Sequence, residues 1–365
     1  MEQEMRGLSR LSHAGAVSSL TAALALAACG GGGSGTEPAP ADNAALTTQP
    51  GTSTSAPAMD KAVAAAKQAA ATDPLCATSA LGDFYWEIGD ATSATPLVSH
   101  SEGGGSVTAT SHFGIASASK WVFGAYVLQK KGIDQVRADP TLRDGLRFLS
   151  GYTGFNDDAC IGKTTVGACN AAGNISAPDP NTVGRFDYDG GHDQKLATVD
   201  LGMANFTSKQ LDQEYQATLG LGRGFNMAPL DPLIAGGLQA SAADYAQFLR
   251  KLMNLQLVIG AHLGEDAVCA DPLTCASQVA YSPIQALGEP WSYAYNYWVE
   301  SEHGNGSVDA YSSPGKFGFY PWITPDRKYY GILSRHDTQP VAYGVSVKCG
   351  RQIRKAFLAA LAGGA

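Results

Sequence analysis

The stretch Phe113, Gly114, Ile115, Ala116, Ser117, Ala118, Ser119, Lys120 opens a run, Ala116 to Lys131, that is apolar on nearly every face through Trp121, Val122, Phe123, Ala125, Tyr126, Val127 and Leu128 and ends at Gly132. Such a pattern predicts a helix set in the interior of the fold. Residues three apart share a helical face, so the Ser117 hydroxyl and the Lys120 amine come within hydrogen-bond reach of each other. The helix N-terminus adds a positive end that favours a developing alkoxide. A lysine entering an apolar helix loses hydration, which disfavours its charged form, and a neutral amine beside a hydroxyl is a general base. The bland alternative is a serine that merely caps the helix, with the lysine in water. A second serine with a lysine three residues on, Ser313 and Lys316, has Pro314 and Gly315 between them and reads as a turn.

Two later segments follow in order. Phe186, Asp187, Tyr188, Asp189, Gly190, Gly191, His192 is one; Ala235, Gly236, Gly237, Leu238 with Ser241, Ala242, Ala243, Asp244, Tyr245 and Phe248 is the other. Together with residues 113–120 they resemble the motifs of the serine beta-lactamase and penicillin-binding protein superfamily, especially its class C-like hydrolases and esterases, over about residues 80 to 350. The resemblance implies Ser117 as nucleophile and Lys120 and Tyr188 as the proton-transfer pair. It also implies a cation on the strand edge lining the site, where Ala310, Tyr311 and Ser312 stand here. Gly190 stands where the family usually has an asparagine. Losing a cation that meets a substrate carboxylate is costly in a desolvated site, so beta-lactam hydrolysis is disfavoured. Gly190, Ser312, Ser313 and Lys316 remain as candidate substrate contacts. The oxyanion hole is expected from the Ser117 backbone N–H and a second N–H near Ser313.

The fold implied is α/β of the α+β kind, beta-lactamase-like: an antiparallel sheet built from both termini, flanked by helices, with a mainly helical lobe inserted. An Ala-rich helix is expected over Met59 to Ala71. Phe84, Trp86 and Ile88 alternate in a strand, and Thr108 to Ile115 is extended in character. Strand character returns at Trp291 to Glu300, Gly318 to Thr324 and Tyr329 to Ser334, before a final helix from about Gln352 to Ala362. A helix is also expected over Ala242 to Leu257. The sheet lobe is thus 59–132 with 281–365, and the helical lobe 133–280. Trp291, Tyr293, Tyr295 and Tyr297 alternate and suit either sheet packing or the wall of an apolar acyl pocket.

Arg6 and Arg10 precede an apolar run, Ala14 to Ala28, shorter than the roughly 20 residues a spanning helix needs, and it reads as a signal peptide over 1–28. Its end, Leu26, Ala27, Ala28, Cys29, resembles a bacterial lipobox, in which Cys29 is acylated and ties the chain to a membrane. Residues 29–58 are Gly-, Ser-, Thr-, Pro- and Ala-rich and read as a flexible linker. These features imply export and a lipid anchor on a bacterial membrane, on its periplasmic or cell-surface side. Six further cysteines suit disulfides in an exported chain: local spacing favours Cys160 with Cys169 and Cys269 with Cys275, leaving Cys76 with Cys349.

A net charge of -8 with no block of like charges disfavours nucleic acid as a partner. Asp187, Asp189, His192 and Asp193 invite a metal, but they lack calcium-loop spacing and the chain has no H-E-x-x-H, so no metal or other cofactor is expected. His192 and His112 read as structural. With no G-x-S-x-G elbow, an alpha/beta-hydrolase is disfavoured. The expected activity is hydrolysis of a small ester or amide, of carboxylesterase or amidase type. The alternative is a ligand-binding or penicillin-binding lipoprotein that kept the fold without the turnover.

Overall fold

The computed structural model describes residues 56–302 and 306–363. The signal peptide, Cys29 and the linker up to residue 55 lie outside the described residues. No helix among the described residues is long and apolar enough to cross a membrane.

An eight-stranded antiparallel sheet runs from edge to edge through Val98–Glu102, Phe84–Asp90, Tyr329–Ser334, Tyr320–Ile323, Ala310–Ser312, Tyr297–Glu300, Ser292–Ala294 and Val268–Cys269. Both faces are covered, and alternate residues of each strand therefore enter two separate apolar clusters. Phe84, Trp86, Ile88, Tyr320, Trp322 and Leu333 pack with Ala62, Ala66, Val347, Ile353 and Phe357 of the two terminal helices. Tyr85, Tyr297, Val299, Ile323, Tyr330 and Ile332 pack with Trp121, Val122 and Phe248 on the other side.

The terminal helices are longer than the sequence pattern predicts. The first is Ala56–Thr72, taking in the last three residues assigned to the linker, and it buries Ala58, Ala62, Ala66 and Ala70 at a four-residue spacing. The last is Ala342–Ala362, beginning ten residues before Gln352. Gly344 and Gly350 weaken helix propensity there, but packing outweighs it: a Cβ on Gly350 would lie 2.6 Å from the Tyr320 ring. A disulfide from Cys76 to Cys349 joins the turn after the first helix to the last one.

Two predicted strands are broken. Of Thr108 to Ile115 only Phe113–Gly114 pairs, with Leu238–Ala240, because the Ser111 hydroxyl accepts the Thr108 N–H and closes a turn. The Trp291 to Glu300 segment folds back on itself at Tyr295 and Asn296, both with positive φ (36° and 71°), and Ser292–Ala294 pairs with Tyr297–Glu300. Tyr295 and Tyr297 thereby enter the Trp121 cluster while Trp291 and Tyr293 join the other, so the four do not line one wall.

Between the two halves of the sheet the chain is mainly short helices, including Pro140–Leu146, Val166–Ala172 and Ser208–Leu219. Val268–Cys269 leaves this stretch to form the sheet edge. The helix Ala242–Met253 starts from a capping box of Ser241 and Asp244 and stops four residues short of Leu257. Cys160–Cys169 and Cys269–Cys275 pair as their spacing favours.

Candidate active site

The helix Ala118–Lys131 begins abruptly after a two-residue strand. Ala116 takes φ 44°, a left-handed conformation that costs a non-glycine residue on the order of 1 kcal/mol. Surrounding contacts hold it there. The Ile115 N–H donates to the Leu238 carbonyl (2.9 Å), the Ser313 hydroxyl to the Ser117 carbonyl (2.9 Å) and the Tyr245 hydroxyl to the Ala118 carbonyl (2.8 Å). Gly315 passes so close that a Cβ there would lie 2.1 Å from the Ile115 oxygen. Ser117 occupies the cap position with helical dihedrals and makes no side-chain capping bond, which removes the bland reading of its hydroxyl.

Lys120 is 5% exposed. Its Nζ lies 3.1 Å from Ser117 Oγ and 2.9 Å from the Ala235 carbonyl oxygen, so the Ala-Gly-Gly-Leu segment supplies the second anchor for the amine. The same Nζ is 5.1 Å from the centre of the Tyr188 ring. That ring is wedged by aromatic neighbours, stacked on Trp298 at 5.1 Å and edge-on to Tyr293 at 5.8 Å. The structure therefore brings Ser117, Lys120 and Tyr188 together around one point. They line a cavity of about 370 Å³ with Gly190, Lys316, Pro314, Asp157, Trp291 and Trp298.

The remaining acidic and histidine residues of the Tyr188 segment serve the scaffold. Asp189 accepts the N–H groups of Gly154 (2.9 Å) and Gly191 (2.7 Å). His192 donates from Nε2 to the Asp187 carbonyl (3.0 Å) and accepts the Ser150 hydroxyl at Nδ1 (2.7 Å). Burial holds its pKa down at about 3, so the ring stays neutral and structural. Burial, with Asp189 nearby, pushes the Asp187 carboxyl up to about 6. No group of three or more His, Cys, Asp or Glu suited to a metal occurs among the described residues. His112 is tied to the Gly224 carbonyl (2.8 Å), away from the cavity lining.

Two expected contacts are placed differently. Ser312 is fully buried, in register with Trp298 and Trp322, and does not line the cavity. The Ser313 hydroxyl is engaged by Ser117, and its N–H donates to the Pro321 carbonyl (3.3 Å), so it does not supply the oxyanion donor expected of it. Gly315 N–H likewise donates to Phe319 (2.7 Å). In this alternation residues 314 and 316 take the other phase, both lining the cavity; proline has no N–H to offer, which leaves residue 316 as the strand position that could supply one. Lys316, in contrast, does reach the cavity.

Sequence reasoning missed Asp157 and Trp298. Asn296 is the signal that could have found Trp298: an asparagine tolerates positive φ, and the reversal it makes turns Trp298 toward Tyr188. Asp157 explains Gly190, because a Cβ at residue 190 would stand 2.8 Å from Asp157 Oδ1 and 3.2 Å from the Ala235 Cβ.

The sheet with helices on both faces matches known structures. The fold is beta-lactamase-like. EstCE1, a hydrolase with promiscuous acyltransferase activity, is similar over 82% of this chain and 98% of its own, with 14% identity and a TM-score of 0.55. A D-stereospecific amidohydrolase from a Streptomyces species matches over 80% and 98%, at 14% identity and a TM-score of 0.51. A penicillin binding protein from Bacillus halodurans matches over 73% and 95%, at 13% identity and a TM-score of 0.52. No protein-family model and no curated protein matches the sequence.

Proposed function

We propose that the chain is a serine hydrolase that cleaves an ester or amide through an acyl-enzyme on Ser117. The carrying observation is the 3.1 Å approach of Lys120 Nζ to a Ser117 hydroxyl that no capping bond occupies. Ser117 Oγ attacks the carbonyl carbon as its proton passes to the Lys120 amine, and the tetrahedral oxyanion meets the Ser117 N–H at the helix start. Collapse expels the alkoxide or amine, which takes a proton from the Lys120 and Tyr188 pair. Water then attacks the acyl carbon, loses its proton to the same pair, and frees the acid and the Ser117 hydroxyl. Structural neighbours that include a hydrolase and an amidohydrolase support this reading. The substituted strand cation favours esters and simple amides over beta-lactams. The lipobox-like Leu26 to Cys29 supports a further proposal, that a lipid on Cys29 holds the enzyme at a bacterial membrane.

The test is intact mass after exposure to a fluorophosphonate, with p-nitrophenyl butyrate and nitrocefin turnover measured side by side. One adduct, absent from Ser117→Ala, with ester turnover exceeding nitrocefin turnover, is expected. No adduct at any pH from 6 to 10 overturns the proposal.

A further inference from the structure

Asp157 opens a single 3-10 turn, Asp157–Cys160, whose last residue is bonded to Cys169, so its backbone is fixed beside the helix Val166–Ala172. Its carboxylate is solvent-accessible, yet it stands in the wall of the cavity that holds Ser117 and Lys120. Glycine at 190 makes room for it. Among the described residues it has no hydrogen-bond partner and no ion pair within 4 Å: Lys120 is committed to Ser117 and Ala235, and Lys316 does not reach it. The enclosing wall raises its carboxyl pKa, with Lys120 and then Lys316 opposing. An exposed carboxylate in the cavity wall that no side chain has engaged is free to meet a cation there. The π faces of Trp291, Trp298 and Tyr188 in the same cavity also attract a cation. Lys316 on the cavity wall repels one, which favours the Asp157 side for a cationic guest.

We infer that Asp157 is a subsite for an ammonium group on the acyl portion of the substrate. It makes the hydrolase proposed above, on which this inference rests, selective for aminoacyl esters and amides. The sequence shows only half of this arrangement, since Gly190 reads there as a lost side chain.

Two measurements on the folded, disulfide-bonded chain test it. The first follows tryptophan fluorescence, reported by Trp291 and Trp298, during titration with n-butylammonium and with butan-1-ol. At least about tenfold tighter binding of the ammonium is expected, and loss of that difference in Asp157→Asn. The second compares kcat/KM for 4-nitroanilides from glycyl to 6-aminohexanoyl with their N-acetylated counterparts. At least one pair should favour the free amine about tenfold, mostly through KM; the ratio should fall to about one in Asp157→Asn and recover partly in Asp157→Glu. Equal binding of ammonium and alcohol, or a ratio that Asp157→Asn leaves unchanged, overturns the inference. Ser117-dependent hydrolysis of p-nitrophenyl butyrate without any amine preference sinks this inference alone. An ammonium preference without a Ser117 adduct sinks the hydrolase reading alone.

Discussion

Lys120 Nζ bridges the Ser117 hydroxyl and the Ala235 carbonyl, so one buried amine joins the Ser117 turn to the Ala235–Leu238 segment. Lys120→Met keeps the length of the side chain but has no proton to exchange. Turnover of p-nitrophenyl butyrate should fall by at least about a thousandfold, as for loss of a general base. The Ala235 oxygen also loses a buried donor, so stability should drop by about 1–3 kcal/mol, measured by chemical denaturation. Activity within tenfold of the parent would remove Lys120 from the mechanism.

Tyr188 contributes separately through its ring and its hydroxyl. Tyr188→Phe retains the stack on Trp298, so the melting temperature should move by no more than a degree or two. kcat should fall by about a hundredfold with little change in KM, as expected for lost proton transfer. A loss confined to KM would make Tyr188 a binding residue instead.

A buried acid behind the site makes stability depend on pH. Asp193 accepts one bond from Asn296 Nδ2 (2.7 Å), while its other oxygen and the Asn296 oxygen have no partner. Burial pushes its pKa up to about 7, with Lys120 pulling the other way. The folded state keeps a proton that the unfolded chain sheds from about pH 4 upward, so this group's contribution becomes more unfavourable between about pH 4 and 7 and is constant above that. Asp193→Asn removes the penalty and offers an N–H to the Asn296 oxygen. Its melting temperature minus that of the parent should rise across pH 4 to 7 by several degrees and then level off, as read by differential scanning fluorimetry. A difference that is flat with pH would refute the buried-acid account.

The Cys76–Cys349 disulfide closes a span of 273 residues, against 9 and 6 for the other two. In the chain-entropy model the long closure contributes about 5 kcal/mol and each short one about 2–3 kcal/mol. Paired replacement of Cys76 and Cys349 by serine should therefore lower the melting temperature more than the same change at Cys269 and Cys275. The reverse order would assign the stabilisation to local strain or packing.

What the sequence made legible was local chemistry and periodicity. Ser117 and Lys120 lie three residues apart on one helix, Phe84 to Ile88 alternate, and four of the cysteines sit at short spacings, so each reading needs only near neighbours. The Tyr295–Asn296 reversal was hidden because alternation of Trp291 through Tyr297 continues through the turn, whose positive φ leaves the apolar pattern unchanged. Asp157 was hidden for another reason. Its place beside Gly190 arises from two distant loops packing together, and the glycine's small size records only that something is near. The start of the last helix was missed because Gly344 and Gly350 obey tertiary contact over propensity.

Pro314 has one more consequence. With no amide hydrogen at that rung, residue 316 is the next strand position able to offer one to the negative oxygen of a tetrahedral adduct, and one such donor is typically worth about 3–4 kcal/mol. Carbonyls whose departing group is already stable as an anion need that help least. If Ser117 attacks as proposed, backbone shifts at residue 316 should therefore slow amides more than activated esters.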